Sequence, residues 1–458
     1  MIERTGLGRL LHEHPFGDDE ILVHTAASSL TKGEVLARVR SLGEQIAAFQ
    51  GGPQPVAVVA DGLEALIAMF AVWEAESVFV PINPRQPRAA VASMIDRSDV
   101  SAVVTGSEVQ GRRSETVQPP DSAFILWTSG TTGAPKPILH THTAYLEIID
   151  RVLGPLSESR DPTRRPSPNL IPVSMALNAG IYNALFGLRA GAPLVLMDRF
   201  STGEFASLVR AHGIRSTVLP PASIAMLNDD PEITGLSPLR YVRSITAPLS
   251  PFQARRFTDR FGAFVLNGYG QAELGEVIGW TAADAKTHRD KIGAVGKPHQ
   301  GVRVRIEAAD ANGVGELLVK PPAPPASAVA TTLGDRLDDD GFVRTGDLAR
   351  LDEGWVWIEG RTGDLINRGG NKVFPDEVEE ILNSVPGVRE AGVVGEPDGR
   401  LGQVPVAYVV GDVVDRDLEG ACRENLAAYK VPVRFERVDS LPRNDAGKLL
   451  RRRLLEDK

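Results

Sequence analysis

Short apolar runs alternate with helical patterns through the first two-thirds of the chain, and this alternation constrains the fold more than any other feature. The runs lie near residues 54–60, 77–82, 123–128, 192–197, 215–221, 241–246 and 263–270. One of the intervening stretches, residues 62–76, predicts an amphipathic helix. Strand–helix alternation is typical of a parallel sheet with helices on both faces, and uninterrupted apolar runs are typical of strands covered on both sides. We therefore predict an α/β fold.

The pattern changes after about residue 300. Residues 301–308 and 315–322 predict antiparallel strands, and the acidic segment 335–342 predicts a solvated turn. Beyond residue 363 we predict a helix over 375–383, strands over 388–394 and 404–410, and a helix near 415–428. The expected organisation is a large N-terminal domain over 1–362, with parallel α/β sheets and a small β-rich subdomain. A small α+β domain over 363–458 follows it.

Composition excludes several functional classes. The chain has 50 Lys+Arg against 59 Asp+Glu, a net charge of -9, which argues against a dedicated nucleic-acid-binding protein. The single cysteine, Cys422, excludes an internal disulfide and a cysteine-rich zinc site, and we expect it to be a packing residue. The apolar stretch 65–73 is far shorter than the roughly 20 residues of a membrane-spanning helix. The first residues lack the apolar core of a signal peptide, so we expect a cytoplasmic protein.

A segment rich in Gly and Thr, directly after the predicted strand at 123–128, is the sharpest chemical signal. It reads T-S-G-T-T-G-A-P-K from Thr128 to Lys136. Glycines let backbone N–H groups converge on an anion, hydroxyls donate hydrogen bonds, and the lysine adds positive charge. A P-loop has Lys directly after its second Gly, so this is a different motif. The segment predicts a phosphate cradle, with a polar surface loop as the alternative.

Further motifs follow in order along the chain. They are S-I-T-A-P-L at 244–249, N-G-Y-G-Q-A-E at 267–273, T-G-D at 345–347, G-R-T-G-D-L-I at 360–366, R-G-G-N-K at 368–372 and P-R-N-D-A-G-K at 442–448. Together with the first segment they resemble the adenylate-forming superfamily, which contains acyl- and aryl-CoA synthetases, peptide-synthetase adenylation domains and luciferases. The resemblance covers nearly the whole chain.

The resemblance implies that ATP and Mg²⁺ activate a carboxylic acid as acyl-AMP, which then forms a thioester with CoA. It also implies a set of residues that bind ATP or AMP: Thr128, Ser129, Gly130, Thr132, Gly133, Lys136, Thr246, Ala247, Pro248, Asn267, Gly268, Tyr269, Gly270, Gln271, Ala272, Asp347 and Arg361.

Four residues receive specific chemical roles from the resemblance. Glu273 holds Mg²⁺, and a carboxylate suits that hard cation. Thr131 and Lys448 take part in catalysis, Lys448 by stabilising the charge that shifts at the α-phosphate. Asp347 accepts hydrogen bonds from the ribose hydroxyls. Without the other motifs, Lys448 would be interpreted as a surface charge beside the solubilising basic tail at 451–453.

The resemblance also implies motion. Gly363 occupies the hinge position about which a mobile C-terminal domain rotates, and glycine suits a pivot because it accepts many backbone conformations. Gly369 and Gly370 are expected beside the path of the attacking thiol. Ala272 departs from the family's threonine, and Ile245 and Thr246 replace two glycines.

The segment 171–180 occupies the position of the family's substrate-gating segment, with Met175 and Asn178 as predicted pocket residues. No acidic residue lies between Pro172 and Gly191. Because an unpaired buried ammonium is costly, we expect an acyl or aryl acid and not an α-amino acid. Met175 is flexible and apolar, which suits such an acid, although it would equally well pack a helix.

Alternative functions stay open from the sequence. The acceptor could be the phosphopantetheine of a carrier protein, because no CoA-specific motif is evident. The departures at Ile245, Thr246, Ala272 and Met175 also leave room for a nucleotide-binding pseudoenzyme without turnover. A luciferase-like oxygenase has no distinguishing feature, and the sequence does not indicate the oligomeric state.

Overall fold

The computed structural model describes residues 6–49, 51–128, 136–158, 165–323, 333–444 and 447–456. Within these residues, six-, nine-, four- and five-stranded sheets follow one another roughly along the chain. Their mixture of parallel and antiparallel strands confirms the predicted α/β class. No helix in the described part of the chain has both the length and the apolar character needed to cross a bilayer.

The six-stranded sheet has the order β6-β5-β3-β4-β7-β8, with antiparallel strands at both edges. Its region of the chain comprises α1 (Arg9–His12), β1 (Ile21–His24), β2 (Ser29–Thr31), α2 (Lys32–Ala47), β3 (Pro55–Val59), α3 (Gly62–Glu74), β4 (Val78–Ile82), α4 (Arg88–Arg97), β5 (Ala102–Thr105), β6 (Glu108–Gly111), β7 (Ser122–Thr128), β8 (Lys136–Thr141) and α5 (His142–Glu158).

Helix α3 differs from the amphipathic helix expected over 62–76. Every residue from Ala65 to Trp73 is buried, because α3 lies between α2 and the strands β3 and β4. A helix that is apolar on all faces is typical of such an interior position.

The nine-stranded sheet has the order β15-β14-β13-β12-β11-β9-β10-β1-β2, and its six central strands are parallel. The elements that complete it are β9 (Asn169–Ile171), α6 (Asn178–Arg189), β10 (Leu194–Leu196), α7 (Thr202–Ala211), β11 (Ser216–Val218), α8 (Pro221–Asp229), β12 (Tyr241–Ser244), α9 (Pro251–Phe261), β13 (Phe264–Gln271), β14 (Gly275–Gly279), α10 (Ala282–Thr287) and β15 (Lys297–Pro298).

An antiparallel four-stranded sheet follows, as predicted. It contains β16 (Arg303–Glu307), β17 (Gly315–Lys320), β18 (Val343–Asp352) and β19 (Trp355–Arg361). The register of β18 and β19 pairs Asp347 with Arg361, so two of the predicted nucleotide-binding residues are direct neighbours.

The last sheet has its own hydrophobic core. This region comprises β20 (Ile366–Arg368), β21 (Asn371–Val373), α11 (Pro375–Asn383), β22 (Val388–Asp398), β23 (Gly402–Gly411), α12 (Asp415–Asn425), β24 (Phe435–Arg437) and α13 (Arg453–Glu456). Cys422 on α12 is buried in this core, and burial raises the pKa of its thiol to about 11, which fits a packing residue.

His140 lies on β8 of the six-stranded sheet and is buried without a polar partner among the described residues. Its ring stacks on Phe124 at 4.8 Å between centroids and meets the edge of Tyr145 at 5.2 Å. Neither ring nitrogen has a hydrogen-bond partner among the described residues. Burial lowers the pKa of His140 to about 4, so the folded protein holds this side chain neutral at pH 7.

We predict that mild acid destabilises the fold through His140. The unfolded chain protonates this residue below its ordinary pKa of 6.5, whereas the folded chain protonates it only near pH 4. The free energy of unfolding therefore falls as the pH drops from 6.5 to 4, by up to about 3 kcal/mol for this group. His140→Leu should lose less stability than wild type between pH 7 and pH 4.5 in urea unfolding. Equal losses in the two proteins would contradict this assignment.

Candidate functional site

The nucleotide motifs meet at the carboxyl ends of β12 and β13. These strands are parallel neighbours, and their register pairs Ser244 with Asn267. Segment 244–249 therefore leaves the sheet beside the second half of β13, which continues through Gln271 in pairing with β14. Ligands of open α/β sheets usually bind at this carboxyl edge of the parallel strands. The turn between β13 and β14 then carries Ala272 and Glu273.

The carboxylate of Asp347 joins this edge to the four-stranded sheet. It accepts hydrogen bonds from Tyr269 Oη at 2.5 Å and Gln271 Nε2 at 3.2 Å, and it pairs with Arg361 Nε at 2.9 Å. Burial and the charge of Asp347 raise the pKa of Tyr269 well above its usual value. Because a carboxylate offers about four acceptor positions, a ribose hydroxyl would take the remaining one or displace a donor.

Arg336 contacts Glu273, the predicted magnesium ligand, and nothing in the sequence indicated this contact. Its Nη1 lies 3.0 Å from Glu273 Oε1, its Nη2 donates to Gln271 Oε1, and its Nε donates to the Arg344 carbonyl at 2.9 Å. The prediction that 335–342 is only a solvated turn is therefore wrong for Arg336. The acidic neighbours of this arginine in the sequence concealed its role.

The donor set fits Mg²⁺ only together with a nucleotide. No cluster of three or more metal-ligating side chains lies among the residues that the structure describes. Glu273 offers one carboxylate at the rim of the site, and Mg²⁺ in nucleotide sites is commonly held by one or two carboxylates plus phosphate oxygens. In such a complex the cation would share Glu273 with Arg336 or displace the arginine.

Thr246 adopts a backbone conformation that disfavours its side chain. Its φ is +85°, in the left-handed region, where a β-branched residue is strained. The neighbouring Ala247 and Pro248 follow it in the irregular segment between β12 and α9. The structure thus shows why glycine is the easier residue at position 246.

The ammonium of Lys448 interacts electrostatically with Arg361, Asp364 and Asp347. Burial and the nearby Arg361 lower the pKa of Lys448, while Asp364 and Asp347 act in the opposite direction. Its backbone N–H donates to Asn444 Oδ1 at 2.8 Å, which closes a hairpin. The charge of Lys448 is therefore coupled to that of Asp347, the residue predicted to bind ribose.

Arg451 anchors this hairpin and is not part of a solubilising tail. It pairs with Asp364 at 3.5 Å and with Glu379 at 2.9 Å, and it also contacts Asp376. Only 15% of its side chain is exposed. The alternative that residues 451–453 form a plain basic tail is therefore wrong for Arg451.

Two contacts join α11 of the last sheet's region to α9, the helix that follows β12. The backbone N–H of Phe252 donates to Glu380 Oε1 at 2.9 Å, and Arg255 lies 4.0 Å from the same carboxylate. A Cβ added at Gly447 would lie 3.9 Å from that of Ala222. The hairpin that carries Lys448 thus packs beside the start of α8.

The predicted hinge and thiol-path glycines lie at exposed turns. Nothing lies within 4 Å of a Cβ built at Gly363, so the surrounding space permits a side chain. Gly369 and Gly370 form the two-residue turn between β20 and β21, with φ of +59° and +91°. Positive φ at both central residues is typical of a tight hairpin and explains this Gly-Gly pair.

The predicted phosphate-binding segment from Thr128 to Lys136 is described only at its two ends. Thr128 ends β7 and Lys136 begins β8, and the two residues pair in register. Ser129, Gly130, Thr131, Thr132 and Gly133 lie outside the described residues. Their assignment to the phosphates remains a prediction.

The two predicted pocket residues have different surroundings. Met175 is 1% exposed and lies in the hydrophobic core, which agrees with a packing role. Its backbone N–H donates to Asp61 Oδ1 at 2.7 Å. Asn178 begins α6, and its Oδ1 accepts a hydrogen bond from Tyr145 Oη at 2.7 Å.

A buried ion pair behind the nucleotide strand was also missed. Arg243 on β12 donates to Glu276 on β14, and His299 Nε2 lies 3.0 Å from the same carboxylate oxygen. Arg243 and His299 lower the pKa of Glu276 against the opposing effect of burial. The sequence signal was the position of Glu276 three residues beyond Glu273, in a strand that is otherwise apolar.

Comparison with known proteins matches residues 12–118 and 106–324 to the AMP-binding enzyme family and residues 377–448 to the AMP-binding enzyme C-terminal domain. A sulfoacetate–CoA ligase of Cupriavidus necator is 32% identical over 74% of this chain and 67% of its own length. A fatty acid–[acyl-carrier-protein] ligase of Streptomyces coeruleorubidus is 30% identical over 83% of this chain and 76% of its own. The solved structure of o-succinylbenzoate CoA synthetase from Bacillus subtilis, in complex with its acyl-adenylate intermediate, superposes with a TM-score of 0.84. Its identity is 25%, over 98% of each chain.

We predict that Thr246→Gly stabilises the protein. Glycine removes the strain of a β-branched residue at positive φ, offset by the larger entropy of glycine in the unfolded chain, so the net gain should be about 1 kcal/mol. Thr246→Ala, which keeps a Cβ but no branch, should fall between the two. Urea unfolding of the three proteins measures the order. A glycine variant less stable than wild type would show that the threonine side chain is itself stabilising.

Proposed function

This chain belongs to the AMP-binding enzyme family, and from that premise we propose which of its residues carry the chemistry. It is an ATP-dependent, AMP-forming acid–thiol ligase. A carboxylic acid and ATP give acyl-AMP and pyrophosphate, and CoA then gives the thioester and AMP. The convergence of Tyr269, Gln271 and Arg361 on the carboxylate of Asp347 is the observation that carries the residue assignments. The charges of Asp347 and Arg361 also act on Lys448.

In the first half-reaction, a carboxylate oxygen attacks the α-phosphorus and the bond to the β-phosphate oxygen breaks. Lys448 and Arg361 place positive charge where negative charge develops on the α-phosphate. Asp347 orients the ribose, and Tyr269 holds that carboxylate in place. Glu273, together with the nucleotide phosphates, would hold Mg²⁺, which would supply positive charge beside the departing phosphates. The residues from Thr128 to Lys136 are assigned to the departing phosphates.

In the second half-reaction, the region after Gly363 rotates as a domain and withdraws Lys448. The boundary at residues 362 and 363 is supported by the separate hydrophobic core of the last sheet. The exposed turn at Gly369 and Gly370 would then line the thiol path. Positioning the thiol beside the acyl-AMP is the contribution of this arrangement.

The acid is proposed to be an acyl or aryl carboxylate without an α-amino group. Glu276 provides a buried carboxylate, but it is already paired with Arg243 and so is not a free partner for an ammonium. The carrier-protein relative from Streptomyces keeps phosphopantetheine as a second candidate acceptor. Acyl-AMP that accumulates with CoA and is discharged only by a carrier protein would favour it. We also place the enzyme in the cytoplasm, where ATP and CoA are both available.

We predict that Lys448→Ala separates the two half-reactions. Loss of this ammonium should slow acid-dependent pyrophosphate release by about 100-fold or more. Conversion of supplied acyl-AMP to thioester should stay within a few-fold of wild type. Arg452→Ala, in the same stretch but exposed, is the matched control and should keep both rates. Equal loss of both half-reactions in Lys448→Ala would contradict the assignment.

We predict that Gly363→Pro slows thioester formation more than adenylation. Proline fixes φ near −65° and restricts the preceding residue, so rotation at the hinge is hindered. Gly363→Ala should retain both rates, because space for a Cβ is available. Single-turnover assays of each half-reaction measure the effect, with a loss of about 10-fold expected in the second. An unchanged second half-reaction would place the pivot elsewhere.

A further inference from the structure

Arg336 lies beside the candidate nucleotide site, and the proposed mechanism does not use it. It ends the one-turn helix Gly334–Arg336, which precedes β18. Its Nε donates to the backbone carbonyl of Arg344 at 2.9 Å. Its two Nη nitrogens donate to Glu273 Oε1 at 3.0 Å and to Gln271 Oε1. Three of the five N–H groups of the guanidinium are therefore bonded to protein.

The other two N–H groups of Arg336, one on each Nη nitrogen, have no partner among the described residues. The side chain is 37% exposed, so a ligand can approach it. A guanidinium held by three hydrogen bonds has lost much of its rotational freedom before a ligand arrives, and its planar array of donors matches the oxygens of a phosphate group. Arg336 is therefore a cation that is already positioned for an anion.

The hydrogen bonds around Arg336 lead from the predicted ribose carboxylate to the predicted magnesium ligand. Gln271 Nε2 donates to Asp347 Oδ2 at 3.2 Å and to the Thr345 carbonyl at 2.8 Å. The same amide accepts from Arg336, which in turn bonds to Glu273. Because the triphosphate of a bound ATP runs from the ribose to the metal, the guanidinium lies along the span that the phosphates would cross.

A buried arginine from α5 fixes the backbone beside Glu273. The side chain of Arg151 is 3% exposed, and its Nη1 donates to the carbonyl of Leu274 at 3.0 Å and to that of Glu276 at 3.2 Å. Glu273 itself bonds to Arg336 through one oxygen of its carboxylate. A change of partner at Glu273 therefore requires rotation of its side chain and no movement of the turn.

Charge determines what Arg336 binds when the site is loaded. In the structure Glu273 and Arg336 form an ion pair at 3.0 Å. When Glu273 serves as a ligand of Mg²⁺, the guanidinium shares its counter-charge with a divalent cation, and like charges a few ångströms apart repel each other. An anion that contacts both cations relieves this repulsion, and in nucleotide sites phosphate oxygens are that anion.

We propose that Arg336 binds the β- or γ-phosphate of ATP through the two N–H groups that the protein does not use, and that its bond to Glu273 is weakened in exchange. This inference rests on the proposed function and adds a binding residue to it. Arg336 would then hold the part of ATP that leaves as pyrophosphate, whereas Lys448 and Arg361 act at the α-phosphate. It follows that Arg336 contributes to the affinity for ATP and not to that for AMP.

The test is equilibrium binding of MgATP and of AMP, measured by calorimetry in the absence of a carboxylic acid, to the wild type and to Arg336→Met. Methionine keeps part of the length of the side chain and removes its charge and donors. The dissociation constant for MgATP should rise by about 10- to 100-fold, as expected for the loss of hydrogen bonds from a charged donor. The dissociation constant for AMP should stay within about two-fold of wild type.

Arg305→Met is the matched control. Arg305 is 39% exposed, and its ion pairs, with Glu307, Asp338 and Asp340, all lie outside the candidate site. Since Asp338 and Asp340 belong to the acidic segment 335–342, this variant loosens the same part of the chain and should keep both dissociation constants. Arg336→Lys keeps the charge with fewer donors, so its dissociation constant for MgATP should lie between those of wild type and Arg336→Met.

The outcomes separate this inference from the proposed function. Weaker binding of MgATP alone in Arg336→Met, with a smaller effect in Arg336→Lys and none in Arg305→Met, supports the inference. Equal weakening of MgATP and AMP would assign Arg336 to the support of Gln271 and Asp347, and unchanged or tighter binding of MgATP would make it only a competitor for Glu273. Either result overturns the inference alone. Absence of pyrophosphate release by the wild type with every carboxylic acid overturns the proposed function, and the binding comparison still decides whether Arg336 holds a phosphate.

Discussion

The buried carboxylate of Asp347 is the interaction on which the arrangement of the site depends. It accepts from Tyr269 and Gln271 on β13 and pairs with Arg361 on β19, so strands of two different sheets converge on one group. Its negative charge also acts on Lys448 from the C-terminal region. Without this carboxylate, a buried tyrosine hydroxyl and an arginine would lose their common acceptor at the junction of the two sheets.

Arg451 has the corresponding function inside the C-terminal region. It ties the hairpin that carries Lys448 to Asp364, which follows the proposed hinge, and to Glu379 on α11. Burial raises the pKa of Glu379 to about 7, against the attraction of Arg451, so this pairing is made at an electrostatic cost. The consequence is mechanical, because the lysine and the first residues after Gly363 are held in one unit and must move together.

The sequence predicted those parts of the site that are contiguous in the chain and missed those assembled from distant segments. Motifs such as residues 267–273 and 345–347 carry their chemistry within a few residues, and hydrogen bonds from Tyr269 and Gln271 to Asp347 join them across two sheets. Arg336 looked solvated because acidic residues surround it in the sequence, and its contact with Glu273 spans 63 positions. Glu276 likewise meets Arg243 and His299 only through the pairing of distant strands. The packing of α3 against α2, β3 and β4 likewise buries residues 65–73 of the helix that was expected to be amphipathic.

The departures from the family's motifs alter backbone conformation and packing near the nucleotide edge, and they leave the charged residues of the motifs unchanged. Thr246 adds backbone strain, and such strain persists only where the surrounding structure over-determines the conformation. Ile245 packs against Gly268, because its Cγ2 would lie 3.2 Å from a Cβ built on that glycine. The carboxyl carbon of Glu276 would lie 3.0 Å from the same position. The charged residues that the proposed function assigns to adenylation, Glu273, Asp347 and Lys448, are all present. The substitutions are therefore better explained as shaping the nucleotide edge and the acid site of a working ligase than as the decay of an inactive one.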